Sequence, residues 1–380
     1  RGSEDSTMKN VMGVIYTGEK DSFLRELTLL RAIAAMPVAG RYRVIDFLVS
    51  GMVNSGMRNV GVIMQKNYHS LMDHLGSGKE WDLHGKNDGL YILPPFLTRD
   101  NVGVYNGSLD ALHSNMNYLR RSRQEYVLIC NSLIVFNANF TGMFKKYQES
   151  GCDVMMMYTK DPDMRRPEYG TYFDLDDAGN IIDIEIDPTK PRYENTSMEV
   201  LLMRKDLLID LVDRGAAHGY HELVRDVLQR MARDAGLKMC GYEYKDLCFR
   251  LDSVQSYFKF NLDTLDTDVR HRLFPEDRPV YTKVRDELPA RYMDEARVVN
   301  SMVADGCIIN GAVEHSVLFR GVKIDKGASV KNCIIMQDCH VEEGVQLENC
   351  ILDKQAVIKR DGKLIGPSAY PIVISKNMVI

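Results

Sequence analysis

Val317-Leu318-Phe319-Arg320-Gly321-Val322-Lys323-Ile324-Asp325-Lys326-Gly327-Ala328-Ser329-Val330-Lys331-Asn332-Cys333-Ile334-Ile335-Met336 decides the fold of the C-terminal third. Leu318, Ile324, Val330 and Met336 recur every six residues, and Val341 and Leu347 continue the period after a slip of one. Gly306, Gly311, Gly321, Gly327 and Gly344 stand at turn-like places between them. A strand with one buried face repeats every two residues and a helix every 3.6, so neither produces this spacing. A six-residue apolar period is what a β-helix needs, because each flat face then meets the same face of the next coil. The alternative for so many short strands is a small sandwich. The expectation is a left-handed parallel β-helix over 298–380, its repeat clearest to about residue 360. Val317, Leu318, Phe319 and Ile372-Val373-Ile374 read as apolar ends and edges available to a partner.

Upstream of the repeat the pattern changes. Residues 265–297 are charged, carry Pro275, Pro279 and Pro289, and read as a linker. Before them, 8–264 alternates apolar β-prone runs with helical periods. Val11 to Tyr16 is a first strand ending at Thr17-Gly18. Ile45, Leu48, Val49, Met52 and Val53 follow at helical spacing and are closed by Asn54-Ser55-Gly56. Further strands are expected at 59–64, 126–130, 153–158 and 199–203, with helices at 68–75, 109–121, 141–149, 205–212 and 221–234. Such alternation predicts an α/β domain: a mostly parallel, twisted, Rossmann-like sheet with helices on both faces. Ligands on such sheets bind beyond the carboxyl ends of the strands. Asp176-Asp177-Ala178-Gly179-Asn180 reads as the turn of a β-hairpin. The first seven residues, polar and lying before Met8, read as an added remnant outside the fold.

The chain has 380 residues, a net charge of −5 and eight cysteines without a CxxC pair. The charge gives no argument for nucleic acid, and no apolar run is long enough for a membrane span. The cysteine spacing fits neither a zinc site nor a disulfide scaffold. Buried free thiols in the cytoplasm are the expectation.

The chemistry becomes specific over Arg41-Tyr42-Arg43-Val44-Ile45-Asp46-Phe47, Val53-Asn54-Ser55-Gly56-Met57-Arg58 and Gly61-Val62-Ile63-Met64-Gln65. Tyr105-Asn106-Gly107-Ser108-Leu109-Asp110-Ala111, Tyr169-Gly170, Ser197-Met198 and the stretch from Tyr257 to Asp263 extend the pattern. Together with the hexapeptide repeat, these motifs resemble the glucose-1-phosphate adenylyltransferase (ADP-glucose pyrophosphorylase) family from Met8 onward, and specifically its non-catalytic regulatory subunits. The resemblance implies a GT-A-like nucleotidyltransferase domain followed by the β-helix. It implies transfer of an adenylyl group from ATP to glucose 1-phosphate with release of pyrophosphate. That step gathers negative charge and calls for cations and magnesium-holding carboxylates.

Position by position, those groups are replaced. The family's Gly-Gly-Arg-Gly-Thr-Arg-Leu loop meets Gly18-Glu19-Lys20-Asp21-Ser22-Phe23-Leu24, with Phe23 in place of an arginine. Glu19 and Asp21 would each repel a triphosphate by roughly 4 kcal/mol at contact. The family lysine after Arg31-Ala32 meets Ile33. The metal-binding aspartate meets Leu133, and leucine cannot hold magnesium. The lysine that grips the sugar phosphate meets Asp187. The second metal aspartate meets Arg250, although a one-residue gap would bring Leu251 or Asp252 there instead. Persisting candidates for ligand binding are Gly18, Lys20, Arg31, Arg41, Arg43, Gln65, Tyr105, Gly107, Asp110, Gly170 and Ser197. The three arginines read either as an anion site for a small phosphorylated ligand or as a solvated basic face.

The resemblance therefore implies a catalytically deficient chain with no metal and no tightly bound cofactor of its own. Magnesium would be needed only by a catalytic sister subunit. The two would form a hetero-oligomer, a tetramer, for ADP-glucose and glycogen synthesis, and the chain could also associate with itself. The alternative is an active pyrophosphorylase with atypical site residues. A third reading, an acyltransferase-like β-helix using His315 or His340 as a base, rests on those two histidines alone.

Overall fold

The computed structural model describes residues 8–18, 23–85, 88–95, 104–234 and 236–380. The chain divides into two compact units that do not follow its linear order. One comprises 1–19, 47–249 and 277–281, the other 20–46, 250–276 and 282–380.

The first unit is built on a nine-stranded sheet. Its centre consists of β1 (Val11–Tyr16), β2 (Val60–Ile63), β3 (Leu90–Leu93) and β4 (Tyr126–Asn131), in the order β4-β1-β2-β3 and all parallel. β1, β2 and most of β4 are apolar on both faces and buried, as a parallel strand covered by helices requires. The helices α1 (Val44–Asn54), α2 (His69–Leu75), α3 (Ser108–Ser114), α4 (Met116–Arg121) and α5 (Thr141–Ser150) supply the crossovers. The hairpin β6–β7 (Thr171–Leu175, Ile181–Ile186) turns where expected, through Gly179 at φ +81°. β5 (Val154–Thr159) lies beside β8 (Asn195–Arg204), and β9 (Met239–Glu243) pairs parallel with β5. β8 is antiparallel to β4, β5 and β6, so this half of the sheet is mixed.

Two helices differ from their sequence expectation. The run 109–121 is two helices, because buried Asn115 turns its side-chain amide back onto the Ala111 carbonyl at 2.8 Å and ends the first. The run 221–234 begins with a π turn (Leu223–Leu228) before a short α-helix (Gln229–Arg233). The strands at 90–93 and 239–243 lacked a distinct sequence signal.

In the second unit three five-stranded parallel sheets form the left-handed β-helix. Its first strand is Arg291–Tyr292 and its last Ile372–Ile374. The segment expected as linker thus contributes the first coil, and also carries a helix at Thr267–Leu273. Lys323 pairs with His340, and Ile334 with Ile351, so these coils are seventeen residues long; Ile308 pairs with Lys323 across a coil of fifteen. A coil of seventeen holds two hexapeptides and one pentapeptide, and the short one lies between Val330 and Ile335. Ile335, not Met336, therefore joins Leu318, Ile324, Val330, Val341 and Leu347 in the core. One corner is a column of left-handed residues, Asn300, His315, Asn332 and Asn349. His315 Nδ1 contacts Asn332 Oδ1 at 2.8 Å, Asn332 donates to Asn349 at 3.3 Å, and Asn349 to the Gly366 carbonyl at 2.9 Å. Asparagine tolerates this backbone region, and its amide ties successive corners together. His315 is thus part of the corner, and His340 contacts Asp325 at 2.7 Å on the outer surface. Val317, Leu318 and Phe319 are wholly buried and Ile374 nearly so. These four of the expected interface residues are core residues, whereas Ile372 and Val373 are half-buried.

Within this unit residues 23–46 and 250–276 are stitched to one another and to the coils. The backbone N–H of Ala39 donates to Asn261 Oδ1 at 3.0 Å, and Arg31 reaches Asp353. All eight cysteines are free and buried.

Candidate functional site

In the first unit the chain leaves β1 toward β2 on one side and returns to β4 on the other, so the topological switch point lies between β1 and β4. Tyr16 and Asn131 end these strands as register partners. Thr17 pins the β1 end to β2: its N–H and its hydroxyl both donate to the Ile63 carbonyl, at 3.1 and 3.0 Å. Beyond β4, Asn131 Oδ1 accepts from the Leu133 N–H at 3.1 Å, and Leu133 itself is 4% exposed. From beyond β2 comes buried Gln65, whose amide donates to the Tyr16 hydroxyl at 2.7 Å and approaches the Tyr105 carbonyl at 3.4 Å. Gly18 lies under Tyr16: a Cβ built there would be 2.1 Å from the phenol oxygen. The side chains identified at these strand ends are neutral: a phenol, two amides, a hydroxyl and a leucine. Lys20, with Glu19 and Asp21, lies outside the described residues. Phe23 is half-buried.

The other candidates of this unit form interlocked loops. Gly107 is required by close approach, since a Cβ would meet the His221 carbonyl at 2.4 Å. Ser108 donates through its hydroxyl to Glu222 at 2.8 Å, while Asp110 takes His221 Nδ1 at 2.8 Å. Gly170 accepts from the Asp187 N–H at 2.8 Å, and its missing Cβ leaves room for the Tyr172 hydroxyl. Asp187 has a left-handed backbone and pairs with Arg225, so the expected inversion of charge is locally neutralised. Ser197 is 1% exposed and its hydroxyl accepts from the Glu199 N–H at 3.1 Å, inside a bulge of β8.

The remaining candidates, Arg31, Arg41, Arg43, Ile33 and Arg250, belong to the second unit. Arg31 is 3% exposed and holds both Asp353 oxygens at 2.8 Å, with Met336 Sδ at 3.6 Å. Ile33 is buried in a short 3₁₀ turn. Arg43 is buried, its N–H capped by Asp46 at 2.8 Å. Arg41 is exposed and lies over the Tyr42 ring. Buried Arg250 lies 3.5 Å from Asp252. Leu251, the other residue a gap would bring here, is wholly buried. Lys354 joins Arg31 and Arg43: burial first, then the charges of Arg43 and Arg31, push its ammonium down to about 7, with Lys376 adding repulsion and Asp353 opposing it. Nearby charge acts on Arg320 too, lowered by burial and then by Arg41 and Arg285. The arginines therefore part: Arg31 and Arg43 enter a buried cationic cluster, and Arg41 an exposed one.

The nucleotidyl transferase family pattern matches residues 12–260, and the GlmU-like C-terminal hexapeptide pattern matches 288–369. A glycogen biosynthesis protein GlgD from Bacillus subtilis (strain 168) is 35% identical over 97% of this chain and 96% of its own length. The GlgD of Geobacillus stearothermophilus is 39% identical over 84% of the chain and 82% of its own. A glucose-1-phosphate adenylyltransferase from Clostridium botulinum (strain Eklund 17B / Type B) is 31% identical over 85% and 84%. The chain belongs to the glucose-1-phosphate adenylyltransferase family of nucleotidyl transferases. Family chemistry calls for magnesium, and the residues found do not fit it. Asn131, Ser132 and Leu133 at the end of β4 offer no carboxylate. Three participants escaped the sequence reading. Tyr16 could have been suspected from a bulky aromatic beside the loop glycine, and Lys354 from the Asp353-Lys354 break in the apolar repeat. Arg225 had no local signal.

Proposed function

We propose that this chain is a subunit of a glucose-1-phosphate adenylyltransferase in ADP-glucose and glycogen biosynthesis. In this reading it is catalytically deficient, works in the cytoplasm and modulates a catalytic sister in a hetero-oligomeric tetramer. The observation that carries the reading is Leu133, a buried hydrocarbon where the family places a metal carboxylate. Attack of the sugar phosphate on the α-phosphorus of ATP builds charge that Asn131, Ser132 and Leu133 cannot stabilise, and loss of one oxyanion-type donor alone costs about 3 kcal/mol. Magnesium then serves the sister's site. The names of the two GlgD relatives place those proteins in glycogen biosynthesis. For contact with a sister the second unit offers Leu288 at 80% exposure, together with Tyr292, Val299 and Ile308. Exposed apolar side chains of this kind are typical of interfaces.

The test is pyrophosphate release from ATP and glucose 1-phosphate with magnesium, for the chain alone, the sister alone and the co-purified pair. The expectation is no turnover alone and a faster or tighter-binding pair. Turnover by the chain at the sister's rate, or a pair that never co-elutes, overturns the reading. Leu133→Asp by itself should not restore turnover, because the cations stay missing.

A second reading concerns the cluster of Arg31, Arg43, Lys354 and Lys376. Burial first, then repulsion from Arg43 and Arg31, lowers the Lys354 ammonium, and a phosphorylated small molecule would relieve the repulsion. Binding of such a ligand here would influence the sister only if the pair shares two states with different affinity.

A further inference from the structure

We propose that Tyr16 is a built-in plug of the switch-point crevice, closing it to nucleosides and nucleotides. This rests on reading that crevice as the emptied nucleotide site. Glycine at the end of a first strand lets a ligand approach the backbone closely. Here that space is filled from within. The phenol lies on the face of Gly18 that a side chain would need, with both its Cζ and its oxygen 2.1 Å from where a β-carbon would stand. The same hydroxyl takes the Gln65 amide at 2.7 Å, and that amide also approaches the Tyr105 carbonyl at 3.4 Å. The group best placed to read a polar ligand is thus engaged by the protein itself. The ring also packs against the buried cluster that contains Tyr105 and Ile63, so both its apolar body and its polar tip are accommodated. Thr17 prevents the strand end from drawing aside, being fixed twice to the Ile63 carbonyl. Admitting a ligand therefore requires rotation of Tyr16, with loss of its Gln65 bond and of its place in that cluster.

Charge and plug make separable demands. Missing cations weaken ATP and leave uncharged adenosine unaffected, whereas a plug excludes both. Adenosine and ATP are titrated calorimetrically into the full chain and into Tyr16→Phe, Tyr16→Leu and Tyr16→Ala, with thermal melts confirming folding. The expectation is that Tyr16→Ala binds adenosine about tenfold or more tighter than the original chain. Tyr16→Phe keeps the ring and stays closed. Tyr16→Leu preserves an apolar strand end while stopping short of Gly18, and serves in place of the alanine variant should that fail to fold. Equal adenosine affinity across all variants overturns the plug. That result leaves the question of catalytic deficiency to the pyrophosphate assay, which fails independently if the unmodified chain turns over.

Discussion

The crevice at the ends of β1 and β4 and the cluster around Asp353 differ in the charge that their side chains carry. At the crevice the side chains found are a phenol, amides and a leucine. Around Asp353 stand Arg31, Arg43, Lys354 and Lys376, where burial and then the charges of Arg43 and Arg31 drive Lys354 to about 7. Uncharged side chains such as Tyr16, Gln65 and Leu133, the ones described at the crevice, can be packed and hydrogen-bonded at low cost. A cluster of like charges costs folding energy unless a counter-ion offsets it, and Asp353 offsets only part. Among the described residues the strand ends of the first unit carry no such cost, whereas the second unit retains it.

The comparison breaks most visibly at Asp353. Its side chain is 3% exposed and takes the guanidinium of Arg31 on both oxygens. Removing one member of a buried pair leaves the other charge uncompensated, at a cost of about 3–5 kcal/mol. Asp353→Ala should show that loss in urea unfolding, and a loss below about 1 kcal/mol would mean the pair is hydrated rather than structural. In the first unit the comparable test is steric. Gly107→Ala puts a methyl 2.4 Å from the His221 carbonyl, which belongs to a loop fixed by Asp226 and Ser108. Forced overpacking of this kind costs about 1–3 kcal/mol. Unchanged stability would show that the two loops separate easily.

The β-helix was legible because its six-residue period is a property of sequence alone, but the place of the slip was not. Val330, Ile335 and Met336 are all apolar, and only the coil geometry selects Ile335 for the core and turns Met336 toward Arg31. The alternating α/β pattern was legible for the same reason. The division into units was not, because Arg31 meets Asp353 and Tyr257 meets the Pro37 carbonyl across hundreds of residues without any local signature. At the crevice, comparison with the family motif located Leu133, since a lost carboxylate is visible in one letter. Tyr16 acts through where its ring packs, which no single letter records. Asp187 shows the opposite error: the letter suggested repulsion, and Arg225 thirty-eight residues later neutralises it.

The cationic cluster makes a pH prediction that the crevice does not. Lys354 lies below its ordinary value of 10.5, at about 7, so between those values the unfolded chain binds more protons. Stability then rises with pH through that window as the ammonium is discharged, and its repulsion counts fully below about 7. A bound dianion restores the proton, so binding takes up a proton and weakens as pH rises. Sulfate keeps one charge state across the range and is the suitable probe. Its affinity should fall by up to about thirtyfold from pH 6 to 8.5, and the fall should vanish in Lys354→Met. A pH-independent affinity that survives in Lys354→Met would place the anion elsewhere.

The smallest expected effect tests whether Asp187 belongs with the emptied crevice or with the retained charges. Its side chain is 30% exposed and that of its partner Arg225 51%, whereas Arg31 and Asp353 are each 3% exposed. Water and salt screen the exposed pair, and holding two side chains together costs entropy, so such pairs contribute about 0.2–1 kcal/mol. A double-mutant cycle of Asp187→Ala and Arg225→Ala, read by unfolding at low and high salt, should give a coupling in that range that shrinks as salt is added. A salt-insensitive coupling above about 2 kcal/mol would instead mark a desolvated pair of the Arg31–Asp353 kind. Asp187 would then be a fixed structural acid, and its left-handed backbone, tied to the Gly170 carbonyl, would be a conformation the pair enforces. With the small value, Asp187 is a surface residue whose charge Arg225 balances.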